Sequence, residues 1–371
     1  MQNASIEFIE RTLDRADQLP EGPIKTALLE EAVRAADALA DVPWQYYTRH
    51  EVIAAAFGSG EADKMLVALS WCLSRCDRDS DHIQWSPILW QCKHALSYVT
   101  AFPNITRARI ERLSEDIITR YREHGASLRG PYVFMLSNCF ALGEDDRAKH
   151  YYQLWQDAPI DEYAESPDWE EYFEIDYLRS TKQKDLALAR AMPTLEAPHQ
   201  EDGTFHWLVD SFLIDLLKRG EVEKSAKLFR RAYRICSANS KYLHHVGTHL
   251  AYLALTGNID RAVRLFERHL PWRMQSSVPG ARFNFDLRAW CFTRRLLAAD
   301  RETITFSLPK DFPLYREDGK YEVSTLHDWF ESSSREFETA FNQRNGNDAV
   351  TKRVEKIVAW DDFAVDFPIE E

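Results

Sequence analysis

Glycine and proline are scarce in this chain, 13 and 15 among 371 residues. An all-β chain of this length needs many tight turns, and tight turns draw on those two residues, so the composition argues against an all-β fold. No run of 18 apolar residues occurs, which leaves no candidate for a membrane-spanning helix. The opening stretch MQNASIEFIERTLDRADQ carries acids and has no continuous apolar core, so it does not read as a secretory signal. Basic residues are outnumbered, 46 Lys and Arg against 59 Asp and Glu, for a net charge of −13. Phosphate binding takes most of its affinity from Lys and Arg, so general nucleic-acid binding is not expected and a neutral or basic partner is favoured. Cysteine is thinly spread, at Cys72, Cys76, Cys92, Cys139, Cys236 and Cys291, mostly inside apolar helical stretches. That pattern reads as reduced, buried thiols and a cytoplasmic location. The sequence contains no GxGxxG, Walker loop, GxSxG elbow or kinase motif set, and no cofactor is expected.

What is present is a repeat. The chain exceeds what one ordinary core supports, so it is either two domains or one elongated array. Three segments align: Gly257-Asn-Ile-Asp-Arg-Ala-Val-Arg-Leu-Phe266, Gly220-Glu-Val-Glu-Lys-Ser-Ala-Lys-Leu-Phe229 and Gly143-Glu-Asp-Asp-Arg-Ala-Lys-His-Tyr-Tyr152. Each places a small residue (Ala262, Ser225, Ala148) four positions before an aromatic (Phe266, Phe229, Tyr152). A degenerate copy begins at Thr181 and an earlier one at Gly60. The chemistry of the unit is legible. Glycine ends one helix in the left-handed conformation, an Asn or acid favours the start of the next, and the small residue lets helices approach closely. One such helix pair cannot bury its own apolar face, so stacked copies share a core.

On these residues the chain resembles the tetratricopeptide (TPR) superfamily over roughly 40–275. The family's large early residue, helix-ending Gly, small residue and aromatic fall at Val246, Gly257, Ala262 and Phe266, and again at Val209, Gly220, Ser225 and Phe229. A third set is Tyr132, Gly143, Ala148 and Tyr152. The period departs from the family's about 34 residues, and the early Trp and closing Pro are absent. The resemblance implies an all-α fold, a right-handed α-α superhelix of stacked antiparallel helix pairs. Seventeen helices are expected, from 4–18 to 347–359. The organisation is read as a repeat array over 1–300, an irregular connector over 301–323, a helical cap over 324–360 and an acidic tail over 361–371.

In that family the first helices of successive pairs line a groove that holds peptides. The resemblance carries those positions onto Val133 and Ser137, onto Trp207, Asp210 and Lys218, and onto His244. A second surface is legible from composition: Asp161, Glu162, Glu165, Asp168, Glu170 and Glu171 interleave with aromatics and would suit a basic segment, although helically spaced aromatics such as Trp169 and Phe173 also suit a core. His245 and His249 stand one helical turn apart, but Val246 occupies the position where a metalloprotease motif needs Glu. Cys72, Cys76, His82, Cys92 and His94 lack the paired close spacing of a structural zinc site. No metal is expected. The function expected is a non-catalytic scaffold for a protein or peptide partner, with no membrane association. The alternatives are a peptide-sensing bacterial regulator, or an enzyme using a metal at His244, His245 and His249.

Overall fold

The computed structural model describes residues 5–78, 85–198 and 203–369. Among them it is all-α, with a single two-stranded ribbon. The chain divides into two compact units. One takes Met1–Ala141, Asp146–Ala164 and Asn239–Lys241, and the other takes Leu142–Asp145, Glu165–Ala238 and Tyr242–Glu371.

The first unit is built from α1 (Ile6–Asp17), α2 (Pro23–Leu39), α3 (Val42–Ser59), α4 (Ala62–Cys76), α5 (Trp85–Val99) and α6 (Arg107–Glu123), with most of α7 (Arg129–Leu142) and α8 (Asp145–Asp157). Local chemistry starts these helices. The Ser5 hydroxyl accepts from the Phe8 amide at 3.1 Å, and the Asp41 carboxylate accepts from the Trp44 amide at 3.1 Å. Consecutive helices from α1 to α6 pack on one another.

The second unit holds α9 (Pro167–Ser180), α10 (Lys184–Glu196), α11 (Phe205–Lys218), α12 (Val222–Cys236), α13 (Leu243–Leu255), α14 (Ile259–Gln275) and α15 (Pro279–Ala298). It continues through strands β1 (Thr303–Thr305) and β2 (Lys320–Glu322) to α16 (Val323–Asn345) and α17 (Ala349–Val358). Helix α13 is its centre, packed on α11, α12, α14 and α15.

The repeat has a common structural cause. Gly60, Gly143, Gly220 and Gly257 all adopt left-handed backbone, with φ between 74° and 76°. In the degenerate copy Lys182 takes the same conformation at φ 69°. The following amide then reaches back five residues: Glu61 to the Ala56 carbonyl, Gln183 to Leu178, Glu221 to Leu216 and Asn258 to Leu253, each at 2.9 or 3.0 Å. This is one helix-ending turn shared by these four copies of the repeat, and it reverses the chain so that each new helix packs on the last.

Two stretches differ from expectation in form. The 301–323 stretch carries the β1–β2 ribbon, with Ile304 opposite Tyr321. The run Thr303-Ile-Thr-Phe-Ser-Leu308 alternates exposed and buried, so period two prevails locally despite the neighbouring prolines. The tail region is not loose where it is described. Ala359–Phe363 forms a short 3-10 turn, and 364–369 runs extended against the second unit, with Ile369 buried. Residues 370 and 371 lie outside the described residues.

Candidate functional site

Helix α11 is apolar nearly all round. Its first turns bury Phe205, His206, Leu208, Val209 and Phe212. The residues that keep partial exposure are Trp207, Asp210, Ser211, Asp215 and Lys218, spaced so that they form one stripe along the helix. Helix α13 is more extreme: of its 13 residues only His244 escapes full burial. Gly247 makes that possible. A Cβ there would stand 3.3 Å from the Phe285 Cα and 3.4 Å from the Asn284 carbonyl oxygen, so glycine lets the backbones of α13 and α15 approach.

These constraints bring Trp207, Asp210 and His244 together. The Trp207 ring lies 5.2 Å from His244 and 4.6 Å, edge-on, from His245. On its other side Trp169 and Tyr172 of α9 pack edge-on at 5.6 and 5.9 Å. His244 and His245 have ring centres 3.8 Å apart, and His206 lies 5.3 Å from His245. The Asp210 Oδ1 stands 3.4 Å from His245 Nδ1, the Asp210 side chain keeping 23% exposure and that of His245 1%. Neither atom has a hydrogen-bond partner, and both ring nitrogens of buried His249 are equally without one. Buried polar atoms of this kind are rare in folded proteins and mark a place where water or a ligand group belongs.

The electrostatics are polarised. Burial works to raise the Asp210 carboxyl, but the facing His245, His244 and the Arg288 guanidinium of α15 outweigh it and hold the group well below the usual carboxylate range. Asp210 is therefore ionised at neutral pH. Burial pushes His249 down to about 3 and His244 well below its ordinary value, so both are neutral. Arg288 is lowered by burial, against the pull of Asp210, and donates to the Asn284 carbonyl and side chain at 3.2 and 2.8 Å. The result is an ionised carboxylate in a partly exposed aromatic setting, with Oδ1 turned inward toward the His245 ring.

The other groove positions lie elsewhere. Lys218, at the far end of the α11 stripe, places its ammonium 4.6 Å from the Phe363 ring centre. Val133 and Ser137 belong to α7 in the first unit. Val133 is buried, and the Ser137 hydroxyl donates to the Val133 carbonyl at 3.2 Å. Of the acidic segment, Asp161 and Glu162 fall in the first unit and Glu165, Asp168, Glu170 and Glu171 in the second. Asp161 is a turn residue: its two oxygens accept from the amides of Tyr163 at 2.9 Å and Ser127 at 2.6 Å. Glu171 lies 3.9 Å from Arg190, which also pairs with Glu174 at 2.5 Å. Glu162 and Asp168 are exposed.

All six thiols are buried and free of disulfides. Burial pushes Cys72 and Cys92 up to about 12 and Cys76 up to about 11, which suppresses their nucleophilicity. His94 packs against Phe57, Trp90 and Phe134, while His82 lies outside the described residues. Among the described residues no group of three or more His, Cys, Asp or Glu side chains is arranged to hold a metal ion. His206 and Arg288 were not among the sequence candidates. The helical spacing of His245 and His249 was visible, but the approach of His206 from α11 and Arg288 from α15 depends on tertiary packing.

Comparison with protein-family models, curated proteins and solved structures gives no match to this chain.

Proposed function

We propose that the protein is a non-catalytic, TPR-like binding module, and that the Trp207–Asp210–His244 cluster receives a cationic side chain from an extended segment of a partner protein. One observation carries this reading: Asp210 is an ionised carboxylate whose side chain keeps 23% exposure, set beside a partly exposed tryptophan. A lysine or arginine head satisfies both features at once, through a charge-assisted hydrogen bond to Asp210 and a contact with the indole. The net charge of −13 adds long-range attraction for a basic partner. The buried thiols fit a reducing compartment such as the cytoplasm.

Calorimetric titration with a panel of short peptides, each carrying one Lys or Arg in a neutral background, tests the reading. The expected result is saturable binding of at least some cationic peptides and none of their glutamine counterparts. Asp210→Asn is expected to weaken binding about tenfold, which corresponds to about 1.4 kcal/mol. Raised salt should weaken it further. Equal affinity for lysine and glutamine peptides, or an Asp210→Asn protein that binds as well as the wild type, would sink the proposal.

A further inference from the structure

The extended segment 364–369 is held in the manner of a bound peptide. Its alternate amides all donate to the turn between α13 and α14: Val365 to the Leu255 carbonyl at 2.8 Å, Phe367 to the Thr256 carbonyl at 3.1 Å, and Ile369 to the Asn258 Oδ1 at 2.9 Å. Two of its carbonyls are bound in return. The Asn258 Nδ2 donates to the Phe367 oxygen at 2.9 Å, and the Arg261 guanidinium donates to the Ile369 oxygen at 2.6 Å. One amide side chain thus clasps the peptide backbone on both sides of Pro368, with its acceptor and its donor.

Two side chains anchor it, while Val365 stays exposed. Phe367 and Ile369 turn toward the protein, Phe367 half-buried against the core and Ile369 6% exposed, while Asp366 and Pro368 are exposed. The site is fitted to the segment. A Cβ at Gly257 would come 3.0 Å from the Asp366 Oδ1, on a residue whose φ of 74° already disfavours any side chain. Main-chain bonds at alternate residues, with Phe367 and Ile369 packed inward, are the physics of strand addition, used here by a helix-ending turn rather than by a sheet edge.

We propose that the α13–α14 turn, through Leu255, Thr256, Asn258 and Arg261, is a recognition site for an extended peptide of the pattern aromatic-Pro-apolar. In this chain 365–369 occupies it in cis, and a peptide of the same pattern takes its place in trans. Most of the contacts are to main chain, so the site reads an extended backbone first and the residues at 367 and 369 second. It stands apart from the Trp207–Asp210 cluster and does not depend on whether that cluster binds a cation.

The test is fluorescence anisotropy with a labelled synthetic peptide of residues 362–369 and three full-length proteins. These are the wild type, the double variant Phe367→Ala with Ile369→Asp, and that double variant combined with Asn258→Ala. The double variant releases the segment and leaves the site intact, so it is expected to bind the peptide. The wild type is expected to bind at least tenfold more weakly, because its own segment competes at high effective concentration. Adding Asn258→Ala is expected to weaken binding at least tenfold. Hydrogen exchange on the same proteins keeps the result interpretable: amides 365 and 367 should lose protection in the double variant while those of α13 and α14 keep it. A double variant with protected α13 and α14 that fails to bind the peptide would overturn the proposal, as would equal binding by wild type and double variant.

Discussion

At the scale of single residues, several side chains hold states that water would not permit. The four histidines His94, His244, His249 and His269 are all depressed, chiefly by burial, with His94 and His249 at about 3 and His269 at about 4. Each folded value lies below the ordinary 6.5, so between the two the unfolded chain takes up a proton that the folded chain refuses. Stability is therefore full above about 6.5 and falls as pH drops toward these lower values. Urea melts at pH 7, 5.5 and 4.5 should show a steady loss of a few kcal/mol, and His249→Phe should flatten part of that slope. Identical midpoints at all three pH values would contradict these assignments. Asp210 works in the same sense: its depressed carboxyl favours the fold above its ordinary pKa and loses that contribution only in stronger acid.

At the scale of elements, the helix-ending turn explains why so much was legible. Gly60, Gly143, Gly220 and Gly257 were identifiable because left-handed backbone favours glycine, and the aligned small and aromatic residues follow from close helix packing. The seventeen expected helices correspond to the seventeen α-helices among the described residues, with ends shifted by a few residues. The β1–β2 ribbon and the extended 364–369 segment were not legible as such. The ribbon carries period-two alternation over a run so short that nearby prolines and glycine masked it, and the 364–369 segment has no regular alternation to read. The same limit applies to ion pairs between helices. Arg273 of α14 forms a two-pronged bond with fully buried Asp286 of α15 at 2.8 and 2.7 Å, and Ser333 of α16 donates to the same carboxylate at 2.8 Å. Arg273→Met should destabilise by about 3–5 kcal/mol, because it strands a buried charge. Adding Asp286→Leu should recover much of that loss, since removing both charges removes the desolvation penalty as well. A thermal-melt cycle in which the double variant is no better than Arg273→Met would show that the pair acts through packing alone.

At the scale of the whole molecule, charge and fold class were legible while the site was only partly so. Trp207, Asp210 and His244 could be named from a resemblance in repeat register, and they do meet in the second unit. Lys218 was named by the same register but packs against Phe363 instead, because nothing local announced that 359–369 would fold back onto α11, α13 and α15. The acidic segment was conspicuous in composition, yet Asp161 serves a turn and Glu171 faces Arg190, uses that depend on residues distant in sequence. The central claim is that a cation docks beside Trp207 and Asp210. The measurement that tests it most directly is fluorine NMR of protein labelled with 5-fluorotryptophan, the Trp207 signal assigned by Trp207→Phe, during titration with a lysine-bearing peptide. The Trp207 resonance is expected to move in step with binding, and Asp210→Asn is expected to abolish the movement. A peptide that binds and shifts other tryptophans while Trp207 stays fixed would contradict it.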